Sequence, residues 1–446
     1  MGIPTLISII RTRFTPIARA LHAQKHLDLF PIRRTLRQYS FLKFRTDLNA
    51  GLNSALLAFP QGIAYSLIAG LPVAYGIFGS AIAGLVSGIW GRSPFLVLGP
   101  TNTTSVMLAS SFAAMGISAP LRAQNLPLLL ALVGLILVLG AFAKAANLIQ
   151  YISRSVITGY MTAAAALIVA TQFEHILGVH YSEPATTFYQ VMNLAAVHLD
   201  ELAWPSLCMG VLTLLIYRLL DRYFTQLPNL GITILLLSCI GIVLGKMGVH
   251  VEFLSSVNFS SWNLTLPSFD LWTLSRMASA ALALAVLCSL ETTSVGKSLA
   301  ARAGQRFDTN QELLTLGMAN CMCAIGSGMV ASASPTRSTL SWKCGASTSL
   351  SGCYSGLFCL VGIFVLGTLV SFIPQATLAA LIMVFGFHLI NKHAIEVVVR
   401  STRADAIVFF VTLISGLLLP LDSAVYFGVV TSIALFLRKA AMPEMA

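Results

Sequence analysis

Charge is scarce in this chain of 446 residues: Asp, Glu, Lys and Arg together make up 10%, where a globular protein carries about 25%. So few charges exclude a soluble enzyme of this length and a disordered chain alike. Long polar stretches are missing too, because apolar runs near the ~20 residues that cross a bilayer recur from Asp47 to Arg438. The eight cysteines form no framework. Six of them (Cys208, Cys239, Cys288, Cys321, Cys353, Cys359) fall inside apolar runs, where a free thiol behaves as a small hydrophobe. Cys321 and Cys323 are spaced C-x-C, which is neither a redox nor a zinc pair. The histidine pairs His175/His180 and His388/His393 are five apart, off the i,i+4 spacing that shares a helix face. A disulfide scaffold is excluded, and neither a metal site nor a cofactor is expected. What is present is 57% hydrophobic residues with a mean hydropathy of +0.83. These values describe a polytopic membrane protein.

The net charge of +11 is unevenly placed. Residues 1–46 hold nine basic side chains and one acid, Asp28. Such an arm beside a first span stays cytoplasmic, since Lys and Arg resist translocation. It reads as a short amphipathic segment on the anionic inner leaflet, with nucleic-acid binding disfavoured. Signal-peptide form is lacking because the apolar run Ile3–Ile10 precedes the arginines. Leu6 stands where myristoylation needs Ser or Thr, and an Arg-rich organellar transit peptide stays open.

Fourteen membrane segments are predicted, at 47–71, 76–91, 95–117, 126–146, 154–177, 202–220, 230–249, 273–298, 311–328, 332–343, 350–372, 376–391, 404–420 and 423–438. An even count returns Arg438 and Lys439 to the side of the basic arm, where Lys297, Arg302 and Arg306 also fall. The location expected is the cell (inner) membrane, multi-pass, with both termini cytoplasmic. Gly296-Lys297-Ser298 imitates the end of a phosphate loop, but Glu291 occupies the place of its first glycine. Of three formal glycosylation triplets, Asn102-Thr103-Thr104 lies in the membrane, and those at Asn258 and Asn263 matter only in a secretory route.

Two segments are short and broken. The third begins Leu98-Gly99-Pro100-Thr101 and the tenth Ala333-Ser334-Pro335-Thr336, each a small residue followed by Pro and Thr. Proline suits the first helical position, where its missing N–H would be unpaired anyway. Each pattern predicts an extended, strand-like lead-in and then a half-length helix. The two prolines stand 235 residues apart, and the same shift brings the first segment onto the eighth. Broken segments at matching places mark an inverted-repeat transporter. The repeats would run over 47–250 and 270–438, and seven segments in each requires opposite topology.

A half-helix starting at membrane depth presents free N–H groups and about half a positive charge. Two such tips facing each other suit a small anion. Arg337, two residues past Pro335, is expected to add its guanidinium. The hydroxyls of Thr101, Thr103, Ser334, Thr336 and Ser338 would supply neutral donors. Glu291 is the mid-span carboxylate of the eighth segment. It could pair with Arg337, carry a proton, or hold a cation with Thr292 and Thr293. An ionised Glu291 would offset the field of Arg337, so its protonation would strengthen anion binding.

Asp47–Gly51 with Phe59-Pro60-Gln61-Gly62-Ile63-Ala64-Tyr65, Leu71–Gly76, Gly91-Arg92-Ser93-Pro94, Ile152–Gly159, Asn310–Leu313 with Gly317–Asn320, Ser334–Ser338 and Ile373–Ala376 resemble the sulfate permease (SulP) family, which includes prestin and pendrin. The resemblance covers the chain from about position 40. It implies an all-α polytopic fold of fourteen helices in a seven-plus-seven inverted repeat. Segments 1–4 and 8–11 would form a core domain, and segments 5–7 and 12–14 a gate. It also implies a substrate anion held by Gln61, Tyr65, Thr101, Ser334, Thr336 and Arg337, with Glu291 at the acidic coupling position, in a homodimer. Sodium-coupled bicarbonate members carry Asp there and Thr one turn later. Glu291 and Val295 stand in those places, which favours a proton or exchange over sodium. A cytoplasmic STAS domain usually follows the last helix. Here the chain ends eight residues after Arg438, so whether that domain was removed or is absent stays open.

The function expected is secondary transport of sulfate, bicarbonate, chloride or a dicarboxylate by alternating access. A proton-coupled nucleobase permease and an anion channel are the rivals, and no nucleophile–base pair supports an enzyme. If Glu291 carries the coupling proton, uptake by a Glu291→Gln variant loses the wild-type dependence on external pH. Unchanged pH dependence of labelled-anion uptake would refute the role.

Overall fold

The computed structural model describes residues 27–145, 154–179, 187–223, 229–254, 264, 267 and 271–441. The basic arm through residue 26, His180 and both loop glycosylation triplets lie outside these. Each predicted segment coincides with a helix: α2 (Phe41–Ile68), α3 (Val73–Trp90), α4 (Asn102–Ala114), α5 (Ala119–Phe142), α6 (Arg154–Leu177), α8 (Trp204–Tyr223) and α9 (Asn229–Lys246) in the first half. The second half holds α10 (Leu271–Ala303), α11 (Thr309–Ile325), α12 (Pro335–Lys343), α13 (Leu350–Leu366), α14 (Gln375–Leu389), α16 (Arg403–Leu418) and α17 (Leu421–Ala441). Among the described residues, three further α-helices lie between segments or before them: α1 (Ile32–Arg37), α7 (Phe188–Val197) and α15 (Lys392–Ser401).

The extended lead-ins are real strands. β1 (Leu98–Gly99) and β2 (Ser332–Ala333) pair antiparallel, Leu98 opposite Ala333 and Gly99 opposite Ser332. The Ser334 N–H donates to the Val97 carbonyl (3.2 Å) and the Val97 N–H to the Ser338 hydroxyl (3.1 Å). Backbone that cannot be helical at membrane depth thus finds its partners inside the protein. With nine residues, α12 covers only about 14 Å, half a bilayer core.

Packing obeys an exchange of halves. α3 lies on α13 as α11 lies on α5, α2 on α13 as α10 on α5, α6 on α16 as α14 on α8, and α16 on α17 as α8 on α9. The two central crossings rest on glycine. A Cβ at Gly84 would stand 2.9 Å from the Gly356 nitrogen, and one at Gly317 would stand 2.8 Å from the Val138 nitrogen and 2.9 Å from the Gly134 carbonyl. Helices gain little from hydrophobic burial in lipid, so such backbone contact is what holds them.

Several of the resembling motifs serve this frame. Glu312 accepts from the Arg92 (2.9 Å) and Ser93 (2.7 Å) N–H groups. Gln311 donates to the Trp90 carbonyl (3.0 Å), and Asp47 accepts from the Ser347 (2.7 Å) and Thr348 (3.0 Å) N–H groups. Each bond joins one half to the other.

The differences from expectation lie at ends and on the surface. α2 begins six residues early because Ser40 caps it, accepting from the Lys43 N–H. Segment 350–372 breaks after Leu366 and continues as a 3₁₀ turn at Leu369–Phe372. α15 escapes a search for apolar runs because Lys392, Glu396 and Arg400 interrupt it, with Glu396 and Arg400 paired at 2.7 Å.

Replacing Gly317 by Val forces a branched side chain into backbone. Overpacking costs about 1–3 kcal/mol, so detergent-solubilised G317V is expected to lose its monodisperse chromatographic peak at a lower temperature than wild type.

Candidate functional site

The tips of α4 and α12 lie side by side because β1 and β2 deliver them there. Thr101 caps α4 in a reciprocal capping box with Thr104. Ser334 caps α12, accepting from the Arg337 N–H (3.4 Å), with Pro335 in the first turn. The N–H groups of Asn102, Thr103 and Thr336 stand at first-turn positions, where no helical acceptor exists. All three residues line a cavity of about 790 Å³. Gln61, Tyr65, Thr101, Ser334 and Glu291 line it as well. Of the residues expected at the site, Arg337, Ser338 and Thr292 are absent from the wall.

Arg337 is 0% exposed and lies behind the lead-in. Its Nη2 donates to the Pro100 carbonyl (2.7 Å), while Nε and Nη1 have no partner among the described residues. The guanidinium presses on Gly99, where an added Cβ would stand 3.1 Å from both terminal nitrogens. The expectation that it joins the ring of donors is therefore corrected. The direction taken by a long side chain from the first turn of α12 was not legible from spacing.

Glu291, 6% exposed, is held by hydroxyls from both lead-ins. It accepts from Ser332 (2.7 Å), Thr101 (3.1 Å) and Thr103. Among the described residues it forms no ion pair with Arg337, which answers one of the three alternatives. Thr292 accepts from the Ala333 N–H (3.3 Å) and so supports β2, while Thr293 faces the cavity. A hydroxyl has one proton. While Thr101 and Thr103 donate to Glu291 they cannot donate to a bound anion. Ser338 accepts from the Val97 N–H, which leaves its proton free, but it does not line the cavity. Ser334 and Thr336 line the cavity and are bonded to each other at 3.2 Å, so one of their two hydroxyl protons is engaged between them and the other keeps the expected donor role.

Residues on neighbouring elements complete the wall without a sequence signal. The Tyr160 hydroxyl on α6 donates to the Thr103 carbonyl (3.2 Å), joining α6 to α4. The Gln61 Oε1 and Asn102 Oδ1 atoms are buried without a partner among the described residues. The Pro-Thr pattern located Asn102 in sequence, but nothing there distinguished it from its neighbours. Among the described residues no His/Cys/Asp/Glu group has metal-binding geometry.

Comparison with known proteins agrees with this architecture. The chain is 28% identical over 425 residues to sulfate transporter 4.1, chloroplastic, of Arabidopsis thaliana, covering 94% of this chain and 62% of that protein. It is 28% identical over 430 residues to human solute carrier family 26 member 6, covering 89% of this chain and 55% of that protein. The chain thus spans less than two thirds of the length of these relatives. Among solved structures, SLC26A9 superposes with a TM-score of 0.83 at 19% identity, over 97% of this chain and 71% of that one. The transmembrane domain of the cyanobacterial bicarbonate transporter BicA gives 0.79 at 20% identity, over 87% and 98%. The pattern of the sulfate permease family matches residues 44–412, and the chain belongs to that family.

Proposed function

We propose that this protein is a secondary transporter of a small inorganic or carboxylate anion, working by alternating access. The observation that carries the reading is the pair of half-helix tips, α4 and α12, aimed into one cavity with first-turn N–H groups that have no helical acceptor. Such a site binds negative charge through dipoles and needs no contacting cation. The relatives' names, one a sulfate transporter and one a bicarbonate transporter, support an oxyanion as cargo.

α2–α5 pack with α10–α13, and α6, α8 and α9 with α14, α16 and α17. In this reading the first group is the core that carries the site and the second is the gate. The cavity between them reaches Arg154 and Lys297, so it opens toward the basic, cytoplasmic face. Proton coupling follows from the hydroxyl geometry. A proton on Glu291 removes its negative charge and releases Thr101 and Thr103 to donate to the anion. Fewer acceptors and more donors then face the cargo, and anion and proton travel together. The nucleobase alternative lacks a specific observation in its favour, and the N–H tips suit charge better than a neutral ring.

Uptake of labelled sulfate, bicarbonate or fumarate into proteoliposomes, each with and without a pH or sodium gradient, tests the reading. Uptake of at least one anion, accelerated by inward acid and indifferent to sodium, is expected. Saturable uracil binding with no anion flux would overturn it. Gly99→Val, whose side chain displaces the guanidinium, is expected to weaken anion binding about tenfold, equivalent to roughly 1.4 kcal/mol.

A further inference from the structure

Two cations in the cavity wall have no role in the reading above. Arg154 lies in α6, within the Arg154–Gly159 part of a resembling run, and Lys297 lies in α10. Both line the cavity and both are exposed. Among the described residues neither side chain has an ionic partner. Lys297 stands six residues beyond Glu291, about 9 Å further along the helix axis, so it sits mouthward of the tips.

Arg154 is the first described residue of α6, and the hydroxyl of its neighbour Ser155 donates to the Asp405 carboxylate (2.8 Å), an acid with which Arg154 itself forms no ion pair among the described residues. The two cations also belong to different helix groups, since α6 packs with α14 and α16 while α10 packs with α5. They therefore flank the cavity mouth from opposite bodies.

We infer that Arg154 and Lys297 form a charge-selecting collar at the cavity mouth, acting on the anion through distance and favouring dianions over monoanions. The inference rests on the anion reading of the site. Coulomb energy is proportional to the product of the charges, so a remote cation contributes twice as much to a dianion as to a monoanion at the same point. Its effect on affinity for the dianion is then the square of its effect for the monoanion. At about 8 Å through water this means roughly two- to threefold for a monoanion and about sixfold for a dianion, both shrinking as salt shortens the Debye length. A residue that touches the anion, or one that merely supports the fold, has no reason to obey the square.

Equilibrium binding of labelled sulfate and labelled bicarbonate to the full chain in nanodiscs, at low and at high ionic strength, reads this directly. For Arg154→Gln and for Lys297→Gln, the dissociation constant at low salt is expected to rise two- to threefold for bicarbonate and about sixfold for sulfate. The variants should converge on wild type in high salt, and Arg154→Lys, which keeps the charge, should match wild type throughout. If only one of the two anions binds, convergence in high salt decides the matter for that anion. Equal changes for both anions that persist in high salt, or no change at all, overturn the collar and leave the anion site standing. Wild-type protein that binds neither anion overturns the anion reading and the collar with it.

Discussion

Two residues of strand on each side hold this protein's candidate site in place. If β1 and β2 did not pair, the backbone before Pro100 and Pro335 would be unsatisfied at membrane depth, where each orphaned group costs several kcal/mol. The pairing satisfies that backbone, fixes the register of Gly99 against Ser332, and brings two positive helix ends to one place. It also joins the halves of the chain at their centre. The glycine-mediated crossings of α3 on α13 and α5 on α11 then lock the surrounding helices to that centre.

Glu291 gains its position from the same arrangement. Its hydroxyl partners come from β2 and from the start of α4, so one carboxylate registers the geometry of both lead-ins. A single acidic group tied to both tips is well placed to link their occupancy to a proton. A carboxylate paired with Arg337 would respond far less, because its charge would already be matched.

Much of the fold was legible because membrane helices announce themselves by composition and because Pro100 and Pro335 interrupt them in equivalent places. The lead-ins, the half-helices and the matching of halves all follow from that punctuation. The surface helix α15 was not legible, since its charges break the apolar run that a span would need. Within the site, Thr101, Ser334 and Glu291 were found from their residue types and their places beside the breaks. Two things escaped. Arg337 turns behind Gly99, and the hydroxyl protons of Thr101 and Thr103 are already engaged within the protein. Side-chain direction and the allocation of each proton depend on neighbours 40 or more residues away, which spacing along one helix cannot reveal.

The seating of Arg337 behind Gly99 has a kinetic corollary. A carrier that clasps its cargo with an exposed guanidinium must part a desolvated ion pair in every cycle, and that rupture limits its speed. Here the arginine is fastened to a carbonyl of its own chain and lends only its field. In the proposed transport reading the cargo would meet amides and hydroxyls, which water can replace one at a time, so departure would be stepwise and the grip would loosen without a single high barrier.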